Sequence, residues 1–268
     1  MSLSNKSALV TGGIRGIGAA ICEIFLENDL KNLAVLDLNF EDLSILKDWE
    51  KKFPQASIKF YQVDVSNHEE LEKCYGDFTQ SIESLDPGLD KGLEQGLDIV
   101  VNCAGIFNES KFRQVIDVNL SGVIGSTLLA IEHMRLDKGK GRGGVVVNIA
   151  SIGGLNPVSF MPTYSATKSG IITFTNCVAH NRDRLGIKFL TICPSFTDTK
   201  LTSENPRNVA YFEVDEKCIT EFKKSGKFQS PDELAKAFFP VLEKGKSGSV
   251  WIIEGGELIE ATGPKVLY

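Results

Sequence analysis

The stretch Thr11-Gly12-Gly13-Ile14-Arg15-Gly16-Ile17-Gly18 follows directly on the apolar run Ser7–Val10 and opens an apolar-patterned segment at about Arg15–Asn28. Glycines spaced Gly-x-x-x-Gly-x-Gly let a backbone turn tightly out of a strand into a helix, whose first N–H groups lack intrahelical partners and suit a pyrophosphate. A tight turn alone would also explain a glycine cluster. The next apolar run weighs against that, because it ends Ala34-Val35-Leu36-Asp37 and places a carboxylate 19 residues after Gly18. That is where a dinucleotide-binding unit needs an acid for the adenosine ribose hydroxyls. As a plain strand-end residue, Asp37 would only cap the following loop.

The rest of the chain repeats the same rhythm of short apolar runs and amphipathic stretches, the signature of βαβ units around a parallel sheet. Strands are expected at Ser7–Val10, Asn32–Leu36, Ser57–Gln62, Ile99–Asn102, Gly144–Ile149, Lys188–Ile192 and Ser249–Ile253. Helices are expected at about Arg15–Asn28, Leu43–Lys52, His68–Ser84, Ser110–Asp137, Thr163–Arg184 and Pro231–Glu243. This predicts an α/β, doubly wound, Rossmann-like fold with a seven-stranded parallel sheet, built as a single domain over residues 1–268. Asp86–Gly96 has the turn chemistry of a surface loop. Lys200–Ser230 is a long segment with weak helical periodicity after the sixth strand; ligands bind outside the carboxyl ends of such sheets, so 200–230 is expected to be a substrate lid.

A net charge of −6 and a pI near 5.3 argue against a nucleic-acid surface. No apolar stretch reaches the roughly 18 residues of a membrane span. Leu3 to Val10 is broken by Ser4, Asn5, Lys6 and Ser7, so no secretory leader is expected and the chain is placed in the cytoplasm. The cysteines at 22, 74, 103, 177, 193 and 218 form no Cys-x-x-Cys pair and read as free, mostly buried thiols of a reducing compartment. The sequons at Asn5, Asn108 and Asn119 are then chance matches.

Reactive groups gather in the second half. Tyr164 and Lys168, in Tyr164-Ser165-Ala166-Thr167-Lys168, lie one helical turn apart and project from one face, while Ser151 stands thirteen residues before Tyr164 at the end of Val145-Val146-Val147-Asn148-Ile149-Ala150. A free tyrosine titrates near 10, and an ammonium about 4 Å away at moderate effective dielectric would stabilise its phenolate by a few kcal/mol. Lys168 is thereby expected to bring Tyr164 into the range of a working base. Asn119, within Val115-Ile116-Asp117-Val118-Asn119-Leu120, is a helix-interior misfit of a kind that more often marks a site than a packing choice. No Gly-x-Ser-x-Gly elbow exists, none of His68, His133 or His180 sits in a triad context, and no ligand set has metal spacing, so hydrolase and metal chemistry are not expected.

These signals, in this order, resemble the short-chain dehydrogenase/reductase family across nearly the whole chain. The resemblance implies catalytic roles for Asn119, Ser151, Tyr164 and Lys168: Tyr164 takes the alcohol proton, Ser151 hydrogen-bonds the substrate oxygen, Lys168 also binds the nicotinamide ribose, and Asn119 bends a helix and supports a water near the lysine. It implies cofactor contacts from Gly12, Arg15, Gly16, Ile17, Gly18 and Asp37, and from the adenine-side pair Asp64-Val65. The turn after strand four adds Asn102, Ala104 and Gly105, and Pro194-Ser195-Phe196-Thr197-Asp198-Thr199 resembles the family's Pro-Gly-x-x-x-Thr segment, contributing Pro194, Thr197 and Thr199. Ser195 replaces the glycine of that segment. The alternative for Asp64 is an Asx-turn opening the helix after Ser66. Arg15 occupies a position where a basic residue often accompanies NADP; a carboxylate at position 37 would repel the 2′-phosphate, so NAD is expected.

Within the family, the stretch Asp29–Asp37, the Tyr164 motif and Gly248-Ser249-Val250-Trp251-Ile252 most resemble the insect-type alcohol dehydrogenase and 15-hydroxyprostaglandin dehydrogenase branch. Met161 stands where the prostaglandin enzymes carry a glutamine, and Ser151, Met161 and Tyr164 are the expected substrate contacts. Apolar walls are expected from Leu155, Val158, Phe160, Met161, Phe196, Val209, Tyr211 and Phe212, with Lys223, Lys224 or Lys227 as possible sources of a cation. The activity implied is NAD-dependent oxidation of an uncharged, apolar alcohol of medium-chain or isoprenoid type. The alternatives are an NADPH-dependent carbonyl reductase and a cofactor-sensing protein without turnover. The partners implied are a small-molecule alcohol or carbonyl substrate and further copies of the chain, as a homodimer or homotetramer. The small residues Ser121, Gly122, Gly125 and Ser126, and Ser165, Ala166, Ser169 and Gly170, are expected at that contact, the other reading being tight packing within the chain.

Overall fold

The structure is a computed structural model and describes residues 3–39, 43–84, 96–139, 141–203, 206–224 and 226–266. Except for Gly96, the expected loop at 86–96 lies outside these residues, as does the side chain of Lys223. In chain order the first half comprises β1 (Ser7–Thr11), α1 (Gly16–Glu27), β2 (Asn32–Asp37), α2 (Ser44–Lys52), β3 (Ser57–Gln62), α3 (His68–Ser84), β4 (Ile99–Asn102), α4 (Phe112–Ile116) and α5 (Val123–Met134). The second half comprises β5 (Gly144–Ile149), α6 (Ile152–Leu155), α7 (Pro162–Ala179), α8 (Arg182–Leu185), β6 (Ile187–Pro194), α9 (Lys200–Ser203), α10 (Pro206–Val209), α11 (Glu216–Lys224), α12 (Pro231–Phe238), α13 (Val241–Lys244), β7 (Val250–Glu254) and β8 (Glu257–Ala261).

The strands form one sheet in the order β3-β2-β1-β4-β5-β6-β7-β8. β1 pairs in parallel with both β2 and β4, with Thr11 opposite Leu36 and Asn102, so the winding reverses at β1. Successive strand residues face opposite sides, and both sides are buried. Val10, Val35, Val101 and Ile149 pack under Ile21 and Phe25 of α1, Trp49 of α2 and Phe238 of α12. Leu9, Ala34, Val100, Val146 and Phe189 pack under Tyr75 and Phe78 of α3 and Leu129 and Met134 of α5. That two-sided burial is why these strands read as unbroken apolar runs.

The sheet has eight strands, not the expected seven, and β8 runs antiparallel to β7 with Glu254 opposite Glu257. The turn between them is Gly255-Gly256, both at positive φ (57° and 74°). That geometry matches the twist of a two-residue hairpin and is open to glycine at little cost. β8 escapes the sequence pattern because Glu257 and Glu260 interrupt it. The Gly-Gly pair was the available signal.

The expected helix at 110–137 is a continuous helical run, Glu109–Met134, that starts with a 3₁₀ turn and contains a π-helical segment at Asp117–Gly122 between α4 and α5. By length and composition this run could cross a membrane, contrary to the expectation that no segment qualifies. Its apolarity has a local cause, since Val123, Leu129, Ala130 and Met134 are buried within the fold. Ser126 and Thr127 of the same run join a buried polar network, in which Asn102 donates to Thr127 Oγ1 at 3.1 Å and to Asn148 Oδ1 at 2.8 Å.

Candidate functional site

A cavity of about 740 Å³ opens at the carboxyl ends of the parallel strands. Gly12, Arg15, Gly16, Ile17 and Gly18 line it from the β1–α1 turn, and Asp37, Asp64 and Val65 from the ends of β2 and β3. Ala104 and Gly105 line it after β4, Ser151 after β5, Met161, Tyr164 and Lys168 from the cap and first turns of α7, Pro194 from the end of β6, and Thr197 and Thr199 after it. Asn102 and Asn119 do not reach this lining. Asn102 belongs to the polar network under α5, because its side chain leaves β4 on the face that α5 covers. Asn119, fully buried, bonds both polar groups of Ile106: its Oδ1 accepts from the Ile106 N–H at 2.8 Å and its Nδ2 donates to the carbonyl at 2.9 Å.

The glycine turn tests whether a dinucleotide fits. Gly12 and Gly16 have positive φ, and a Cβ on Gly12 would lie 2.8 Å from Ala104 Cα. A Cβ on Gly18 would lie 2.0 Å from the Gly12 carbonyl oxygen. α1 begins without a side-chain cap, so the unpartnered N–H groups of its first turn, on residues that line the cavity, remain free for an anion. Thr11 Oγ1 accepts the N–H groups of Cys103 and Ala104, each at 3.1 Å, which pins this turn to the one after β4. These residues fit the pyrophosphate half of a dinucleotide.

Asp37 is 6% exposed. Its carboxylate accepts the Asn39 N–H at 3.0 Å, capping the loop, and it still lines the cavity. Asp64 is similar: its Oδ1 accepts the N–H of Ser66 at 2.9 Å in the Asx-turn while the residue lines the same cavity.

Ser151 follows β5 in extended backbone and its hydroxyl accepts the Gly153 N–H at 3.1 Å, capping α6. Tyr164 is 8% exposed, with the Phe107 ring edge-on to it at 5.8 Å between centroids. Burial pushes its phenol up to about 12, against a hydrogen bond from Ser151 that lowers it. Lys168 Nζ lies 5.6 Å from the centre of the Tyr164 ring and donates to the Ile149 carbonyl at 3.0 Å. Burial pulls this lysine down to about 8, the nearby thiols of Cys103 and Cys193 opposing. Burial thus acts on the Tyr164 phenol in the direction opposite to the lowering expected from Lys168.

The far half of the cavity is mostly apolar. Of the expected walls, Val158, Met161 and Phe196 are present. Phe160 stands behind the lining, edge-on to Phe222 at 5.2 Å, and Val209 is buried in the same cluster. Leu155 packs in a different cluster, and Tyr211 and Phe212 are exposed. Missing from the expectation were Phe107, Leu201, Ile219, Phe222 and Phe228, together with the polar residues Gln114, Lys200 and Glu216. The spacing of Ile219 and Phe222, one turn apart on α11, was the signal that could have found two of them.

The small residues of the helices mostly serve the chain itself. Gly122 abuts Val65, Gly125 abuts His68, and Gly170 abuts Leu120, while Ser165 Oγ accepts the Val158 N–H at 3.1 Å and Ser169 Oγ donates to the Gly154 carbonyl at 2.7 Å. Ser121 and Ala166 remain exposed.

Comparison with known proteins agrees with this geometry. A sequence profile described as short chain dehydrogenase matches residues 6–210. Alcohol dehydrogenase 1 of Ceratitis cosyra is 31% identical over 262 residues, covering 96% of this chain and 95% of that protein. The 15-hydroxyprostaglandin dehydrogenase [NAD(+)] of Mus musculus is 34% identical over 204 residues, covering 75% and 71%. Among solved structures, levodione reductase superposes with a TM-score of 0.76 at 24% identity, covering 95% of this chain and 98% of that one, which speaks to the fold. A chain that shares this much sequence with such enzymes, and folds its glycine turn, serine, tyrosine and lysine around one cavity, belongs to the short-chain dehydrogenase/reductase family.

Proposed function

We propose that the chain oxidises an uncharged, mostly hydrocarbon alcohol, of medium-chain or isoprenoid type, to the aldehyde or ketone with NAD. The observation that carries the reading is one cavity with two unlike halves: a glycine turn facing the Asp37 carboxylate, and an apolar chamber of Phe107, Val158, Met161, Phe196 and Phe222 beyond Tyr164. Asp37 would accept from ribose hydroxyls and would repel a 2′-phosphate, which favours NAD. A substrate carboxylate would lose hydration in the chamber, where Lys200 is the one cation among the lining residues besides Arg15 and Lys168. The relatives named above, an alcohol dehydrogenase and a dehydrogenase whose name carries NAD(+), are consistent with it.

When bound, NAD supplies a hydride acceptor whose oxidised ring is cationic. The first turn of α1 would hold the pyrophosphate and Asp37 the adenosine ribose, with Lys168 at the second ribose. Ser151 would donate to the substrate oxygen and Tyr164 would take the alcohol proton. Because burial holds the phenol near 12, its ionisation is the demanding step, and the Ser151 hydrogen bond works in its favour. Residues 200–230 act as a lid, since Lys200, Leu201, Glu216, Ile219, Phe222 and Phe228 from it line the cavity. Self-association through the exposed faces of α5 and α7, as a homodimer or homotetramer, completes the reading; light scattering at micromolar concentration tests it, and a monomeric mass rejects it.

The reverse reaction with NADPH is the second reading, and Arg15 in the cavity favours it. A spectrophotometric screen separates the two: NAD and NADP reduction with 2-octanol, geraniol, retinol, a hydroxysteroid and lactate. The proposal expects NAD reduction with a neutral alcohol; a tenfold preference for lactate over neutral alcohols would overturn the apolar-substrate reading.

A further inference from the structure

Glu109 is 2% exposed, and its carboxylate reaches across more than fifty residues of sequence to the start of α7. Oε2 accepts the Thr163 N–H at 2.9 Å and Oε1 accepts the Tyr164 N–H at 2.8 Å. These are the two donors this helix end leaves over. Met161, at the cap position, offers no side-chain bond, Pro162 has no N–H, and the Ser165 N–H already bonds the Met161 carbonyl. A buried carboxylate is costly unless it is fully hydrogen-bonded, and the start of an 18-residue helix, where the backbone dipoles present positive charge, is a place that stabilises one.

The contact bears on the site because Tyr164 is itself one of the two residues clamped. Two residues before Glu109, the Phe107 ring lies against the Tyr164 ring. One residue earlier still, Ile106 is held at both its polar groups by Asn119. The segment 106–109 is thus fixed at one end by the π-helical turn and at the other by the first turn of α7.

We infer that Glu109 is a positioning residue that caps α7 from outside its own helix and holds Tyr164 in register with Ser151. The inference rests on the proposed role of Tyr164 as base, and its test must be able to fail separately from that role. Glu109→Gln keeps the size and one acceptor oxygen but turns an NH₂ group toward a backbone N–H; Glu109→Asp keeps the charge on a shorter arm; Glu109→Ala removes both bonds.

The experiment has two readouts on the full-length chain. Amide hydrogen exchange over a peptide containing Thr163 and Tyr164 needs no activity; at least tenfold faster exchange there in Glu109→Ala, with the peptide covering β1 unchanged, is expected. Steady-state oxidation of 2-octanol with NAD should show kcat reduced at least tenfold in Glu109→Gln, with KM for 2-octanol and NADH affinity by fluorescence within threefold, and with partial recovery in Glu109→Asp. Unchanged exchange at Thr163 and Tyr164 overturns the cap. Faster exchange with kcat within twofold of the parent makes Glu109 a structural cap only and overturns the positioning claim, as does a fall in kcat that NADH affinity and melting temperature follow in proportion. If the parent chain oxidises no alcohol, the proposed function fails, and the exchange result alone still decides whether Glu109 caps α7.

Discussion

Lys168 Nζ donates to the carbonyl of Ile149 at 3.0 Å, so the ammonium is tied to the end of β5 and lies beside the Tyr164 ring. This contact places a charged group in a site where burial draws it down to about 8 from its ordinary 10.5. Between those two values the unfolded chain binds the proton that the folded chain has released, so this residue makes stability rise with pH across that window. Lys168→Met should therefore stabilise the free protein most below pH 8, and the advantage should vanish near pH 10.5. Melting temperatures of both proteins from pH 6.5 to 10.5 check this; an advantage that is constant with pH would mean the lysine is not strained by burial.

Tyr164→Phe removes the phenolic oxygen and leaves the ring against Phe107. Turnover should fall by about a hundredfold or more, as expected for loss of a general base, while NADH binding stays within about threefold. More than a few per cent of the parent kcat in this variant would show that the proton goes elsewhere.

Ser151→Ala deletes the hydrogen bond that holds the Tyr164 phenol below the value burial alone would give it. The rate of alcohol oxidation should rise with pH in both proteins, and the rise in the variant should be displaced to higher pH. A pH–rate profile that falls in amplitude without moving would assign Ser151 to substrate binding alone.

Asp37→Ala should narrow the preference for NAD over NADP in kcat/KM, from about tenfold or more toward parity. It removes a repulsive charge and leaves Arg15 able to pair with a 2′-phosphate. The same variant should lose some stability, because the Asn39 N–H loses its acceptor. An unchanged cofactor ratio would place Asp37 away from the ribose.

The parallel strands were most legible where both faces are buried, as in β1, β2 and β4; the half-buried β3, and β5, also fall at the expected bounds. The glycine turn and the Ser151, Tyr164 and Lys168 set were legible too, since their spacing is local to one turn or one strand end. What escaped the sequence arises from contacts that spacing does not encode. Glu109 reads as a surface acid within Asn108-Glu109-Ser110-Lys111, and only the approach of α7 makes it a buried cap. The tyrosine's raised pKa comes from burial by Phe107 and its neighbours, which no pairwise reading of Tyr164 and Lys168 contains. The substrate walls were the least legible part, because Tyr211 and Phe212 are exposed while Phe222 and Phe228 line the cavity, a choice made by the packing of both rings against Phe196.

The hairpin formed by β7 and β8 sets a rule for how copies of the chain can join. β7 has β6 on one side and β8 on the other, so neither of its edges is open for a second molecule to continue the sheet. At this end of the sheet a continuation would begin at β8, whose five residues include the carboxylates of Glu257 and Glu260. Two such strands brought side by side around a twofold axis would set like charges against one another, a recognised protection against edge-to-edge growth. This end of the sheet is thereby guarded against ribbon-to-ribbon fusion.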